Sequence, residues 1–139
     1  MSIEKRQFRL STKGNCDVID ITKQVKVLVS QSHLQKGTVT VFVAGSTAGI
    51  TTIEFESGAV SDLRESFERL LPEELEYRHN ERWGDGNGHS HIRASWLGPS
   101  ITVPLYSSQI LLGTWQNIVF VDFDNRPRER EVILIINGE

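Results

Sequence analysis

Two histidines one residue apart are the strongest chemical signal in this sequence. His89 and His91 follow the glycine-rich stretch 84–88, whose glycines can take backbone angles closed to other residues and let the chain pass close to a ligand. Imidazole changes its protonation near neutral pH and is the commonest metal ligand in proteins. The segment therefore indicates a proton-transfer or metal-binding role. It fits equally well a loop in which one imidazole hydrogen-bonds the chain and the other faces water.

The backbone around this pair decides what the two rings can do together. On a strand, residues two apart share a face, so both rings could meet one metal ion, whereas on a helix they diverge. Residues 89–97 fit either a short helix or an extended piece. His79 adds a third imidazole within thirteen residues, while His33 is expected on the surface at a helix end.

A second candidate is the segment Ala-Gly-Ser-Thr-Ala-Gly at 44–49. Its small residues, its exposed amides and the hydroxyls of Ser46 and Thr47 can form an anion-binding nest. The lysine and the spacing of a P-loop are missing, so the segment does not favour a nucleoside triphosphate. Taken alone, it fits a tight hairpin connection better.

Carboxylates and arginines complete the candidate set. Glu54 and Glu56 alternate with apolar residues, so both face one side of a strand, where they could hold a hard divalent cation or act as a base; Asp62 follows in the next helix. Three arginines in five residues, among them Arg128 and Arg130, could clamp a phosphate. Both groups are also typical of solvated surface, where single ion pairs contribute little.

These side chains need a scaffold of strands with two main helices. Helical spacing predicts a helix from Ile21 to Val29 and a second over 57–71, with a long functional loop at 72–88. Strand-like runs occur at 3–10, 16–21, 38–43, 50–55, 100–105, 109–112, 117–123 and 131–136. The first two runs are predicted to form a hairpin, the third and fourth are predicted to pair, and 132–136 is predicted to be covered on both faces. The pattern predicts an α+β fold, mainly an antiparallel β-sandwich with two main helices.

Composition limits the class of protein. The 139 residues fit one domain spanning 1–139, and 38% apolar with 24% charged residues is ordinary for a globular chain. A net charge of −3 without a basic run does not support a nucleic-acid partner. A lone cysteine, Cys16, fits a reducing compartment, and no apolar run reaches membrane-spanning length. We therefore expect a cytoplasmic protein with no membrane partner.

Several motifs in this order resemble the YjbQ family, also called UPF0047 or the secondary thiamine-phosphate synthase enzymes. They are Gly-Ser-Thr-Ala-Gly-Ile-Thr-Thr-Ile-Glu at 45–54, Gly-Asn-Gly-His-Ser-His at 86–91, Leu-Gly-Thr-Trp-Gln at 112–116 and Pro-Arg-Glu-Arg at 127–130. Their order and spacing hold from about residue 3 to the last residue. The resemblance therefore covers essentially the whole chain.

The resemblance implies a small α+β sandwich that forms a homotrimer, with pockets near the subunit interfaces. It also implies a weak thiamine phosphate synthase activity on phosphorylated pyrimidine and thiazole substrates. From the residue types at the site, a divalent cation, Mg²⁺ or Zn²⁺, is the candidate cofactor. The residues carried over from the family's motifs are Glu54, Asn87, His91, Trp115 and Gln116, with His89 and Asp62 beside them.

The expected roles follow from residue type and family position. His91, His89 and Glu54 are the catalytic candidates, and Glu54 with His91 would also hold the metal. Substrate and phosphate would be bound by Ser46, Thr47, Asn87, Trp115, Gln116, Arg128 and Arg130. The chain departs from the family at Gly45, where many members carry a histidine. Two alternatives stay open: a non-catalytic trimer that binds a metal or a metabolite, and a metal-dependent hydrolase.

Overall fold

Two antiparallel sheets and four helices make up the computed structural model, which describes all 139 residues. In chain order the elements are β1 Ser2–Thr12, β2 Asp17–Asp20, α1 Thr22–Ser30, β3 Lys36–Val43, β4 Ala48–Ile53, α2 Ser57–Leu70, α3 Arg78–Trp83, α4 Gly88–Leu97, β5 Ser100–Tyr106, β6 Gln109–Ile110, β7 Asn117–Asp122 and β8 Arg128–Gly138. The larger sheet has the strand order β1-β8-β3-β5-β6, and the smaller has β2-β7-β4. The predicted α+β class is confirmed.

Two apolar cores separate the layers of the molecule. The larger core lies between the sheets and α1, where alternate residues of the strands point inward, as Val39, Val41 and Leu134 do. The smaller core lies on the other face of the three-stranded sheet, where Val121 and Phe123 pack against residues of α2 and α4. The small sheet is therefore buried on both faces, and α4 sits directly on it.

Two predicted strand pairings are wrong. β1 pairs with β8 and β2 pairs with β7, so the first two strands do not form a hairpin. β3 lies between β8 and β5, whereas β4 pairs with β7. The segment 44–47 therefore carries the chain from one sheet to the other. Alternation of apolar residues predicts a strand, but it does not say which distant strand completes its hydrogen bonds.

The helices are predicted well where they are amphipathic. α1 and α2 lie where helical spacing places them, and α2 begins after Glu56, whose carboxylate accepts hydrogen bonds from Gly58 N at 2.6 Å and Ala59 N at 2.8 Å. The predicted loop 72–88 contains α3, and the undecided segment 89–97 is helical as α4. None of the four helices combines the length and the apolar content needed to cross a bilayer.

β8 is covered on only one face by this chain. Val132, Leu134 and Ile136 are buried in the larger core, while Ile133 and Ile135 are half-buried on the outer face of the sheet. The prediction that 132–136 is covered on both faces is therefore wrong for the single chain, because no helix lies over the outer face of the larger sheet.

Candidate functional site

α4 separates the two histidines. Successive helical residues are rotated by about 100°, so residues two apart point to nearly opposite sides. His91 is half-buried and faces a cavity, whereas His89 is 2% exposed and faces the protein interior. The helical alternative is therefore the one observed, and the two rings do not face one metal ion.

The cavity beside His91 is the main candidate site. Its volume is about 260 Å³, and it lies between Gly45, Ser46 and Ala48 on one side and residues 91–95 of α4 on the other. Ser46, His91 and Ser95 supply its polar groups, and Gly45 and Pro99 form its edges. The structure thus brings together Ser46 and His91, which sequence reasoning placed in two separate motifs.

The ring of His91 packs against that of His79, which in turn contacts Asp85. The rings of His79 and His91 are in contact, with 4.3 Å between their centroids, and His79 Nδ1 lies 3.3 Å from Asp85 Oδ1. Burial and the charge of His79 lower the pKa of His91 below its ordinary 6.5, although Asp85 and the Ser46 carbonyl oppose the shift. The ring is therefore mainly neutral at pH 7 and can accept a proton.

A buried ion-pair network lies next to this cavity. Asp122 is fully buried and accepts hydrogen bonds from Arg130 Nε at 2.8 Å and Nη2 at 3.0 Å. Arg130 Nη2 also donates to Thr47 Oγ1 at 2.6 Å, and that hydroxyl donates to Asp124 Oδ2 at 2.9 Å. Arg128 Nη2 contacts the same Asp124 oxygen at 3.1 Å. The candidates Thr47, Arg128 and Arg130 are thus held together by two carboxylates.

Those two carboxylates were missed from the sequence. Burial raises the pKa of Asp124, but hydrogen bonds from Thr47, Asn87 and Arg128 outweigh that penalty and bring the pKa below its ordinary 3.8. Asp124 is therefore charged at neutral pH. Asp122 and Asp124 stand just ahead of three arginines, a charge pattern that was visible but equally typical of an exposed hairpin.

Asn87 ties the start of α4 to the end of β7. Its Oδ1 accepts a hydrogen bond from Ser90 Oγ at 2.5 Å and from Asn125 N at 3.2 Å, and Ser90 Oγ also lies 2.5 Å from the Phe123 carbonyl oxygen. Asn87 is buried in this arrangement. In the single chain it orients α4, and through α4 it orients His91.

His89 belongs to a second, interior polar group. Its Nε2 lies 3.3 Å from Ser90 Oγ, and its Nδ1 has no hydrogen-bond partner. Burial lowers the pKa of His89, and the nearby Arg93 lowers it further. Arg93 itself donates to the Leu71 carbonyl at 3.0 Å and to Glu68 at 2.8 Å. His89 therefore does not line the cavity of His91.

The remaining candidates lie at the other end of β4. Ala48 pairs with Asp122, while Ile53 pairs with Asn117. Since β4 has six residues, its ends are about 17 Å apart. Glu54 follows the far end, with Trp115, which is 71% exposed, and Gln116, whose Nε2 donates to Thr52 Oγ1 at 3.2 Å. In one chain Glu54 does not reach His91.

A metal site is not assembled within one chain. No group of three or more His, Cys, Asp or Glu side chains is arranged so that it could hold a metal ion, and Asp62 lies exposed on α2. The predicted ligand pair, Glu54 and His91, is split between the two ends of β4. Within one chain, Glu54 and His91 therefore do not meet at one cation.

Comparison with known proteins agrees with this fold. The model of the family described as "UPF0047 protein YjbQ-like" matches residues 6–139. A UPF0047 protein of Methanothermobacter thermautotrophicus is 35% identical over 139 residues, which are 100% of this chain and 95% of that protein. One of Archaeoglobus fulgidus is 37% identical over 128 residues, 92% of this chain and 97% of that protein.

Solved structures of similar proteins have the same fold. A YbjQ-like protein of unknown function from Sulfolobus solfataricus superposes with a TM-score of 0.94 at 32% identity, covering 99% of both chains. A hypothetical protein from Aeropyrum pernix superposes with a TM-score of 0.90 at 32% identity, covering 98% of this chain and 99% of that one. Sequence and fold agree over nearly the full length, and the chain belongs to the YjbQ-like UPF0047 family.

Proposed function

We propose that the chain works as a cytoplasmic homotrimer that binds phosphorylated metabolites at the His91 cavity and forms thiamine phosphate there. The observation that carries this proposal is the cavity itself, which a neutral imidazole and two serine hydroxyls line. Arg130 lies beside Gly45 in the cavity wall, and Arg128 contacts the same Asp124 oxygen as Arg130. Coupling a pyrimidine diphosphate to a thiazole phosphate expels pyrophosphate. Such a reaction needs hydrogen-bond donors for the departing diphosphate more than it needs a strong nucleophile.

The chain's own residues supply those functions in this proposal. The side chain of Arg128 is one-third exposed, and in this proposal its guanidinium donates to a phosphoryl oxygen. His91, neutral at pH 7, can take up or deliver a proton at its ring nitrogen. Asn87 and the buried aspartates Asp122 and Asp124 keep these groups in place.

The second half of the site is proposed to come from a neighbouring subunit. Glu54, Trp115 and Gln116 lie together but far from His91 in the same chain. A largely exposed tryptophan is costly to leave in water and is suited to covering a ring of the substrate. If a neighbour's Glu54 meets His91, the same junction also provides the predicted ligand pair for Mg²⁺ or Zn²⁺.

The first test measures turnover. Purified protein is incubated with the pyrimidine diphosphate and the thiazole phosphate, with and without Mg²⁺, and thiamine phosphate and pyrophosphate are quantified together. His91→Ala is expected to reduce kcat/KM by at least about a hundredfold, the usual contribution of a proton-transferring group. His33→Ala, at an exposed histidine outside the site, is the matched control.

Three outcomes separate the proposal from its alternatives. A kcat/KM of about 10⁴ M⁻¹s⁻¹ or more supports a committed synthase. Tight metabolite binding with turnover far below that value indicates a binding protein with an incidental activity. Phosphate release without any thiazole acceptor indicates a hydrolase.

A second test asks whether two subunits share the site. His91→Ala and Glu54→Ala chains are inactive separately under the proposal, but a mixed trimer contains junctions in which both contributing residues are intact. Unfolding and refolding the two variants together should therefore restore part of the turnover. Activity that stays absent, in mixtures shown by mass to contain both chains, contradicts the shared site.

A further inference from the structure

One nitrogen of a largely buried guanidinium is left without a hydrogen-bond partner beside the cavity residue Gly45. Arg130 directs Nε and Nη2 to Asp122 and Thr47, but its Nη1 makes no hydrogen bond in the chain. Nη1 lies beside Gly45: a Cβ atom on residue 45 would stand 3.0 Å from it. The donor therefore occupies the space that a side chain at position 45 would compete for.

The backbone does not require a glycine at this position. Gly45 is not among the residues with positive φ, so alanine could adopt the same conformation. Besides Nη1, a Cβ atom there would have no neighbour closer than 3.9 Å. Because residue 45 has no side chain, the space next to Arg130 Nη1 stays open to a ligand.

We infer that Arg130 Nη1 is the donor of an oxyanion subsite at the Gly45 edge of the His91 cavity, and that Gly45 is the residue that keeps this subsite open. The inference deepens the proposed function, because it names the group that meets a phosphoryl oxygen in that cavity. Ser46 and Ser95 line the same cavity, and neither hydroxyl makes a hydrogen bond within the chain. Both are free to donate to the same anion.

The arginines are paired with carboxylates, so this region offers an anion directed hydrogen bonds and little net positive charge. Asp122 and Asp124 are almost completely buried beneath the arginines, so an entering ligand meets guanidinium nitrogens before it meets carboxylate oxygens. Because Asp122 already balances Arg130, Nη1 contributes mainly direction and a charge-assisted hydrogen bond. The expected ligand is an oxyanion small enough to fit a 260 Å³ cavity, such as the terminal phosphoryl group of a metabolite.

Substitution of Gly45 tests this without breaking the Arg130–Asp122 pair. Binding of inorganic phosphate is measured by calorimetry at fixed ionic strength. Gly45→Ala should weaken it by about tenfold or more, the effect of losing one charge-assisted hydrogen bond. Gly113→Ala adds the same methyl group where it meets only ordinary contacts, and should leave the phosphate affinity unchanged.

A matched pair of variants examines the donor itself. Gly45→Asp places a carboxylate against Nη1, so phosphate binding should be lost and Tm should rise. Gly45→Asn has nearly the same shape without the charge, and its Tm should stay at or below that of the wild type. Equal Tm values for the two variants would show that Nη1 does not meet an anion at this position.

The phosphate-binding experiment can succeed or fail independently of the proposed synthase activity. Phosphate binding that is lost in Gly45→Asp supports the subsite even if no thiamine phosphate forms. The subsite is contradicted if the wild-type protein binds no phosphate at concentrations up to about 10 mM, which lies above a millimolar Kd. It is also contradicted if a folded Gly45→Ala variant binds phosphate within twofold of the wild type. Neither of those outcomes removes a turnover that depends on His91.

Discussion

At the scale of single residues, the site depends on carboxylates that a ligand would never touch. Asp122 is fully buried and binds Arg130 through two hydrogen bonds, and Arg130 in turn holds Thr47. Removing one partner of a buried pair leaves the other charge without compensation. The stability of this corner of the fold and the position of the cavity wall therefore rest on the same contacts.

Asp122→Asn should consequently destabilise the protein strongly. We expect the free energy of unfolding to fall by about 3 kcal/mol, because the largely buried Arg130 loses its closest counter-charge and keeps only Asp124, at 3.8 Å. Urea unfolding followed by circular dichroism measures the change. Asp62→Asn, at an exposed carboxylate on α2, is the control and should change stability by less than about 0.5 kcal/mol. Similar losses in both variants would contradict a stabilising role for the buried pair.

His89 should make the stability depend on pH. Burial and Arg93 lower its pKa below the ordinary 6.5, so between these values the unfolded chain binds more protons than the folded one. Its contribution is present above pH 6.5 and is lost as the pH falls below that value. The free energy of unfolding should therefore decrease from pH 7.5 to pH 5.5, and His89→Gln should reduce that decrease. Part of the slope will remain because the lowered pKa of His91 acts in the same direction. An unchanged slope in His89→Gln would assign the effect to other groups.

At the scale of elements, the sequence predicts which segments are helices or strands better than it predicts how they meet. Strand alternation and the apolar stripe of α2 are local patterns, and both appear in the structure. α4 could not be decided because its buried side is polar, with His89, Ser90 and Arg93, while Ile92 and Trp96 are exposed. Because the buried side of α4 is polar, the spacing of its apolar residues does not predict a helix that packs on a core. Its helical form depends on tertiary contacts with the small sheet.

The packing of α4 can be tested at its first residue. A Cβ atom on Gly88 would lie 2.5 Å from Tyr77 Cβ, which is much closer than two non-bonded carbon atoms can approach. Gly88→Ala should therefore push α4 away from Tyr77 and cost about 1–3 kcal/mol of unfolding free energy, the usual range for overpacking. Gly113→Ala, which meets no such contact, is the control in the same urea experiment. A stabilised Gly88→Ala variant would mean that α4 has room to adjust.

At the scale of the whole molecule, the two ends of β4 divide the candidate residues into two groups. The sequence could indicate both groups, because motifs such as Gly-Asn-Gly-His-Ser-His are local. It could not show that Glu54 and His91 are about a strand's length apart, since that distance follows from the packing of α4 against the Ala48 end of β4. Asp122 and Asp124 were missed for the same reason: their burial depends on β8 returning beside them with Arg130.

This division predicts that turnover and phosphate binding respond differently to dilution. The phosphate subsite at Gly45 and His91 lies within one chain, so its affinity should not depend on the protein concentration. Turnover needs Glu54 from a second chain under the proposed function, so activity per chain should fall once light scattering shows dissociation. The fluorescence of Trp115 should shift to longer wavelength over the same range, with Trp115→Phe identifying its share of the signal. Constant activity per chain in a solution of monomers would place the whole reaction within one chain and exclude the shared site.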